Sequence, residues 1–179
     1  MPDPDLDRAT AAPPRPPVLA VSSLVASGSV GLRAAGFALE RRGHPSWLVP
    51  TILLPWHPGQ GPVVPVRPDE AGFAAMLEAV GRSERASAIA GVLTGYLGSP
   101  GQAVALGRLV DALRARRPDL LVVVDPVCGD DDGRYVPQPV VDAIRTELLP
   151  RADVATPNRH ELAILTGRPT EREADAVAA

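Results

Sequence analysis

"LLVVVDPVCGDDDGRYVP" (residues 120–137) joins a run of five apolar residues to a loop that contains four aspartates. The continuous, mostly β-branched run at 120–124 is typical of a parallel strand that is covered on both faces. Ligands of open parallel sheets bind beyond the C-terminal ends of the strands. We therefore expect Asp125, the first residue after this run, to lie at a binding site.

Apolar runs alternate with helical patterns along the rest of the chain. The predicted strands are 18–23, 46–54, 88–95, 120–124 and 153–157. The predicted helices are 28–43, 69–83, 99–118, 138–149 and 158–167, and a Pro- and Gly-rich loop is predicted at 55–68. Strands that alternate with helices predict an α/β fold, with a mostly parallel central sheet flanked by helices on both faces.

Composition excludes several classes of protein. The 179 residues are 45% hydrophobic and 22% charged and carry a net charge of −3, and no basic stripe stands out, so no basic surface for nucleic acid is expected. The single cysteine, Cys128, excludes an internal disulfide and a cysteine-based zinc cluster. No apolar stretch approaches the roughly 18 residues of a membrane span. Residues 1–17 lack signal-peptide features and predict a disordered Pro-rich tail, which favours a cytoplasmic protein.

Small and polar residues follow the predicted strands at their C-terminal ends. They are Ser22, Ser23, Gly95, Tyr96, Asp125 and Thr156. Because parallel strands all end at the same edge of the sheet, we expect these residues to converge on one rim. Standard Gly-rich nucleotide loops, GxxxxGK[ST] and GxGxxG, are absent from the sequence.

Two groups of residues on this rim each have a functional and a structural interpretation. Asp125 and Asp130 could supply carboxylates to Mg²⁺, or they could form a solvated acidic turn. Asn158 and Glu161 have the spacing of a helix-capping box, and a helix N-terminus also attracts phosphate. A cation held through water by Glu161 is compatible with the capping role. Tyr96 could stack on a planar ligand or could pack at the edge of the core.

Five segments in order resemble the pyridoxal kinases of the ribokinase-like superfamily, over about residues 18–167. They are "VLAVSSLVASGSVG", "PTILLPWH", "TGYLGS", "DPVCGDDDGRYVP" and "TPNRHEL". The resemblance implies a ribokinase-like fold whose C-terminal part is missing, with 18–179 as the N-terminal part of the kinase domain. It implies ATP-dependent phosphorylation of the 5′-hydroxymethyl group of pyridoxal and related B6 vitamers, by a homodimeric enzyme of B6 salvage.

The resemblance also implies roles for individual residues. Ser23, His57 and Tyr96 match the substrate site. The positions that match the surroundings of the ATP phosphates are Asp125, Asp130, Tyr135, Thr156 and Glu161. Those that match the cation site are Asp125, Asn158 and Glu161. The implied cofactors are ATP, Mg²⁺ and a monovalent cation.

The sequence also departs from the family pattern. Leu24 and Pro58 replace a histidine and a threonine, and Gly31-Leu32 replaces Gly-Asn. These changes motivate an alternative, a hydroxymethylpyrimidine (phosphate) kinase of thiamine synthesis. The family's general base is expected beyond residue 179, so the chain alone is expected to be inactive. A further alternative is a non-catalytic remnant that binds a vitamer or a partner.

Overall fold

The computed structural model describes residues 15–178. Residues 1–14, most of the predicted tail, lie outside the described residues. The fold holds the chain from Pro16 onward. The Pro16 carbonyl accepts a hydrogen bond from His44 Nδ1 at 2.8 Å, and the Pro17 carbonyl accepts one from the backbone N–H of Ala90 at 3.0 Å.

A five-stranded sheet in the order β2-β1-β3-β4-β7 forms the centre of the molecule, and every neighbouring pair is parallel. Its strands are β1 (Val18–Val25), β2 (Ser46–Leu54), β3 (Gly91–Thr94), β4 (Leu121–Val124) and β7 (Val154–Ala155). A separate antiparallel hairpin consists of β5 (Gly129–Asp130) and β6 (Gly133–Arg134). The predicted parallel α/β fold is confirmed.

Helices cover both faces of the sheet. They are α1 (Leu32–Arg41), α2 (Glu70–Arg82), α3 (Pro100–Arg116), α4 (Gln138–Ala143), α5 (Arg159–Thr166) and α6 (Glu173–Ala178). The main core lies on the side of α2, α3 and α4, where Phe73 and Leu106 pack with Val21 and Val122 of the sheet. On the opposite side α1 packs on β1 and β2. Across residues 15–178, no helix has both the length and the apolar character that crossing a membrane requires.

On the face of the sheet opposite α3, helix α1 covers β1 and β2, and the outer strands β4 and β7 remain exposed. Leu121 of β4 is 49% exposed and Val154 of β7 is 45% exposed, whereas Val122 and Val124 on the α3 side are buried. Residues 15–178 therefore leave an apolar strip on the outer strands of this face uncovered.

Several predicted boundaries were wrong for identifiable reasons. Strand β1 extends to Val25, beyond the predicted end at residue 23. Helix α1 begins at Leu32 instead of residue 28, because Gly28 and Gly31 have φ values of 107° and 55°, outside the helical region. Strand β3 begins at Gly91, three residues later than predicted, because the preceding segment Glu84–Ala88 forms a 3₁₀ turn.

The helix predicted at 138–149 is only partly α-helical. It changes to a π-helical turn at Ile144–Leu148 and then to a 3₁₀ turn at Leu149–Arg151. Pro150 lies inside this last turn and cannot continue an α-helix, since it lacks the required N–H group. The hairpin of β5 and β6 was also missed, because two-residue strands leave no periodic pattern.

Candidate functional site

Asp125 and Thr156 lie side by side at the C-terminal ends of adjacent strands. The N–H of Asp125 donates to the carbonyl of Thr94 at 3.0 Å, and the N–H of Thr156 donates to the carbonyl of Val124 at 3.0 Å. The ladder therefore brings the two side chains together, and Thr156 Oγ1 donates to Asp125 Oδ1 at 3.2 Å. The predicted convergence on one rim is confirmed for this pair.

The Asp125 carboxyl is half-buried, and burial raises its pKa above the ordinary value, while the Thr156 hydrogen bond acts in the opposite direction. No ion pair within residues 15–178 joins Asp125 to a basic side chain. A bound cation would stabilise the ionised form of a half-buried carboxylate that has no basic partner. Asp125 therefore fits a Mg²⁺ ion that takes its other ligands from phosphates and water.

The acidic loop forms the hairpin of β5 and β6 instead of an irregular turn. Asp130 Oδ1 accepts the N–H of Asp132 at 2.8 Å, which closes the tip. The neighbouring Asp130 carboxylate, with burial adding to its effect, raises the pKa of the Tyr135 hydroxyl to about 12. Tyr135 is itself half-exposed beside the hairpin. Asp130 thus stabilises the tip of the hairpin through the hydrogen bond that its carboxylate accepts from Asp132.

Asn158 and Glu161 form the predicted capping box of α5. Glu161 is 4% exposed, and its two carboxylate oxygens accept N–H groups of Cys128 at 3.1 Å and of Asn158 at 2.9 Å. Asn158 Nδ2 donates to the Gly129 carbonyl at 2.9 Å. These bonds fasten the loop after β4 to the start of α5. Residues 15–178 contain no group of three His, Cys, Asp or Glu side chains placed to hold a metal.

Two basic residues that the sequence did not single out hold the tip of the hairpin. Arg159 forms an ion pair with Asp131 at 3.0 Å, and His160 Nε2 contacts the same carboxylate. The signal was available, since "NRHE" places two basic residues directly after the cap of a helix that follows the acidic loop. The hairpin is therefore attached to α5 at its tip as well as at its base.

Ser23 lies against the start of α1. A Cβ atom at Gly31 would lie 2.3 Å from the Ser23 carbonyl oxygen and 2.6 Å from Ser23 Oγ, so only glycine fits there. The part of β1 just beyond its last pair with β3, Val21 with Thr94, also meets the turn that carries Tyr96, because the Tyr96 N–H donates to Ser22 Oγ at 3.1 Å. The predicted rim thus has the Ser22–Ser23 segment of β1 beside the Tyr96 turn, although the strand itself continues to Val25.

His57 lies in the Pro-rich segment after β2, where it is exposed. Its Nδ1 accepts the N–H of Gly59 at 3.1 Å and caps the 3₁₀ turn Pro58–Gln60. No hydrogen bond between described residues joins His57 to Ser23 or Tyr96. The geometry shows a local role for His57, and its predicted contact with a substrate stays a prediction.

Two buried polar residues behind Tyr96 were missed by the sequence reasoning. Thr51 is fully buried and Gln102 is 3% exposed. Thr51 lies within a run whose pattern predicts only an apolar strand. Gln102 follows a helix cap, where its pattern predicts only a helix, so neither residue was singled out as functional. The only hint was Pro50, which cannot donate a ladder hydrogen bond inside a strand.

Comparison with known proteins agrees with this arrangement. The family model described as phosphomethylpyrimidine kinase matches residues 74–179. The chain is 42% identical over 167 residues to a pyridoxine/pyridoxal/pyridoxamine kinase of Bordetella avium, covering 90% of this chain and 55% of that protein. It is 36% identical over 163 residues to a pyridoxal kinase of Deinococcus radiodurans, with 90% and 55% covered.

Solved structures give the same result. Pyridoxal kinase from Entamoeba histolytica superposes with a TM-score of 0.85 at 28% identity, covering 91% of this chain and 58% of that one. The Leishmania donovani enzyme in complex with ADP and pyridoxamine gives 0.84 at 34% identity, covering 89% and 56%. The chain spans little more than half the length of these relatives.

The matched residues 74–179 include β4, the hairpin, the Asp125–Thr156 pair and the capping box of α5. The remaining rim residues, on β1 and β2, fall within the longer alignments to the curated kinases. The chain belongs to the phosphomethylpyrimidine kinase family, and its fold is the ribokinase-like fold of the pyridoxal kinases that it resembles.

Proposed function

We propose that this chain forms the vitamer-binding side and part of the phosphate-binding side of a pyridoxal kinase. The reaction transfers the γ-phosphoryl group of ATP to the 5′-hydroxymethyl group of pyridoxal. The observation that carries this proposal is a single rim: the Asp125–Thr156 pair follows β4 and β7, the Tyr96 turn follows β3, and Ser23 lies in the part of β1 that extends beyond its pairing with β3. A ring site and a phosphate site on one rim fit a kinase for a small aromatic alcohol.

The vitamer would bind at the β1 and β3 side of the rim. Ser23 Oγ would hydrogen-bond the pyridine ring, and the partly buried Tyr96 ring would pack beside it. His57 would approach from the segment after β2. The complexes of the Leishmania donovani enzyme with pyridoxamine and with pyridoxine support a B6 vitamer as the substrate class of the family.

The nucleotide phosphates would bind at the β4 and β7 side. Phosphoryl transfer depends mainly on positioning and on neutralising charge. Asp125 would hold Mg²⁺, which would neutralise phosphate charge, and the Thr156 hydroxyl would orient the carboxylate. Glu161 and Asn158 would act by fixing the loop from Cys128 to Gly129, and any contact of theirs with the ion would be through water. Asp130 and Tyr135 would place the hairpin over the nucleotide.

We also infer a homodimeric, cytoplasmic enzyme that uses a monovalent cation beside Mg²⁺. The support for the dimer and the cation is the family resemblance, whereas the cytoplasmic location rests on the single cysteine, which fits a reducing compartment. Sedimentation of the complete gene product would test the dimer, and assays with and without K⁺ would test the cation.

A second candidate is a kinase for hydroxymethylpyrimidine. The observations that favour it are the description of the matching family model and the replacement of family residues by Leu24 and Pro58 next to the ring site. The curated relatives with the higher identities act on B6 vitamers by name, which favours pyridoxal.

Turnover of a panel of substrates by the complete gene product tests the proposal. With ATP and Mg²⁺, we expect phosphorylation of pyridoxal, pyridoxine or pyridoxamine with higher kcat/KM than of hydroxymethylpyrimidine. The reverse preference would establish the second candidate. Binding of pyridoxal without turnover of any substrate would indicate a non-catalytic binding protein and would overturn the kinase proposal.

A further inference from the structure

Strand β2 contains an irregularity directly behind the proposed ring site. In the pairing with β1, Ser22 lies opposite Pro50 and Ser23 lies opposite Ile52, so Thr51 is an extra residue in β2. Pro50 has no N–H for the ladder, and β2 is the edge strand of the sheet, where proline is tolerated. Bulges of this kind re-aim a side chain and are rare between parallel strands.

The bulge turns Thr51 toward the turn that carries Tyr96. Thr51 Oγ1 donates to the Tyr96 carbonyl at 2.7 Å, from a position that is fully buried. On the other side of the same residue, the Tyr96 N–H donates to Ser22 Oγ at 3.1 Å. Side chains of two different strands therefore hold both backbone polar groups of Tyr96.

Gln102 joins the bulge to the same turn from the first turn of α3. Its Nε2 donates to the Thr51 carbonyl at 2.9 Å, and its Oε1 accepts the Gly98 N–H at 2.8 Å. Thr51 has no opposite residue in the register of β1 and β2, and Gln102 ties this residue to the turn through its carbonyl. A buried amide with both ends bonded to backbone fixes two segments relative to each other.

The turn has little freedom to compensate for the loss of these bonds. Leu97 is fully buried directly after Tyr96. A Cβ atom at Gly95 would lie 2.4 Å from Ser22 Oγ, so the turn already approaches β1 as closely as glycine permits. A change in the bonds of Thr51 or Gln102 should therefore move the Tyr96 backbone itself.

We propose that Thr51 and Gln102 are positioning residues. By fixing the Tyr96 backbone, they hold the Tyr96 ring in the position required to pack against the substrate ring. The inference rests on the proposed function, because it needs a ring to be bound beside Tyr96. It assigns a role to the Pro50–Thr51 bulge, which the chemistry at Asp125 does not use. Misplacement of a binding group by about 1 Å can reduce a rate by up to roughly 10²-fold.

The test compares Thr51→Val, Thr51→Ser and Gln102→Met in the complete gene product. We expect Thr51→Val and Gln102→Met to raise the KM for pyridoxal and to lower kcat/KM by roughly 10- to 100-fold, with the KM for ATP unchanged. Thr51→Ser keeps the hydroxyl and should restore kcat/KM to within about threefold of wild type. Amide hydrogen exchange, which does not depend on turnover, should become faster at Gly98 in Gln102→Met.

A matched control separates positioning from general stability. Val110→Ala empties space in the buried part of α3, away from the turn, and lowers the midpoint of thermal unfolding without touching these bonds. Equal losses of kcat/KM in Val110→Ala and Gln102→Met would overturn the inference, as would wild-type kinetics in both Thr51→Val and Gln102→Met. Either result leaves the proposed function in place if wild type phosphorylates pyridoxal. A wild-type protein that neither binds nor phosphorylates a vitamer would overturn the proposed function, and the inference with it.

Discussion

Thr156 Oγ1 lies 3.2 Å from Asp125 Oδ1 and donates the hydrogen bond that joins the ends of β4 and β7. This neutral hydroxyl faces a half-buried carboxylate that has no ion-pair partner among residues 15–178. The site therefore holds a negative charge at a free-energy cost to the folded chain. Such a site is suited to receive a cation together with phosphate oxygens.

We predict that Asp125→Asn increases the free energy of unfolding at pH 7 in the absence of Mg²⁺ and nucleotide. Burial raises the pKa of Asp125, so ionisation of this group is less favourable in the folded than in the unfolded chain. The free-energy cost of keeping Asp125 ionised in the folded chain is complete at pH values above its folded pKa. It vanishes at pH values below its ordinary pKa of 3.8. The advantage of Asn should therefore shrink as the pH falls toward 3 in denaturant titrations.

Asp119→Asn is the control, because this exposed aspartate precedes β4 at the opposite end of the strand. It should show no such gain at pH 7. A loss of stability in Asp125→Asn at neutral pH would contradict the electrostatic account of the site.

Glu161→Gln should lower the free energy of unfolding by about 1–3 kcal/mol even without Mg²⁺. Both carboxylate oxygens of Glu161 accept backbone N–H groups, of which that of Cys128 is buried, and glutamine offers only one acceptor oxygen. The exposed Glu84→Gln serves as the control in the same denaturant titration. Unchanged stability without metal, with a loss of Mg²⁺ binding, would show that Glu161 acts as a metal ligand alone.

Gly31→Ala should destabilise the chain and also weaken pyridoxal binding. Its φ of 55° is unfavourable for alanine by about 1–3 kcal/mol, and the new Cβ would collide with Ser23. Gly43→Ala, at the other end of α1, shares a positive φ of 80° but meets only Arg15 Cδ at 3.8 Å. We expect both variants to lose stability in thermal unfolding, but only Gly31→Ala to raise the Kd for pyridoxal. Equal effects on Kd would refute a role for Ser23 in binding.

The Cys128 thiol should resist alkylation while the chain is folded. Burial, with the charge of Glu161 adding to it, raises the pKa of Cys128 to about 11. The thiolate fraction at pH 8 is then on the order of 10⁻³, and the side chain is fully buried. Iodoacetamide labelling followed by mass spectrometry should be slow in buffer and fast in denaturant. Similar rates in the two conditions would contradict the described packing of the loop after β4.

The sequence predicts those features that depend on local patterns. Ser99 and Pro100 mark the start of α3, and the Asn158–Glu161 spacing predicts the capping box of α5, because each motif satisfies its own helix terminus. The apolar run at 120–124 predicts a buried parallel strand and therefore places Asp125 at its C-terminal end.

The remaining features depend on contacts between distant segments. The hairpin of β5 and β6 is held by Arg159 and His160, about thirty residues later in the chain, and its own residues carry no strand pattern. Thr51 and Gln102 are 51 positions apart in the sequence, so no local sequence pattern indicates their hydrogen bond. Sequence reasoning therefore found the residues of the rim and missed the buried side chains that position them.

The most direct test of the account is the rate at which pyridoxal 5′-phosphate forms from pyridoxal and Mg-ATP, measured on the complete gene product as wild type and Asp125→Asn. We predict product formation by wild type, a loss of roughly 10²–10³-fold in kcat/KM for Asp125→Asn, and near wild-type kinetics for Asp119→Asn. Equal rates for wild type and Asp125→Asn, or no product from wild type with any B6 vitamer, would contradict the assignment of this rim as the site of phosphoryl transfer to pyridoxal.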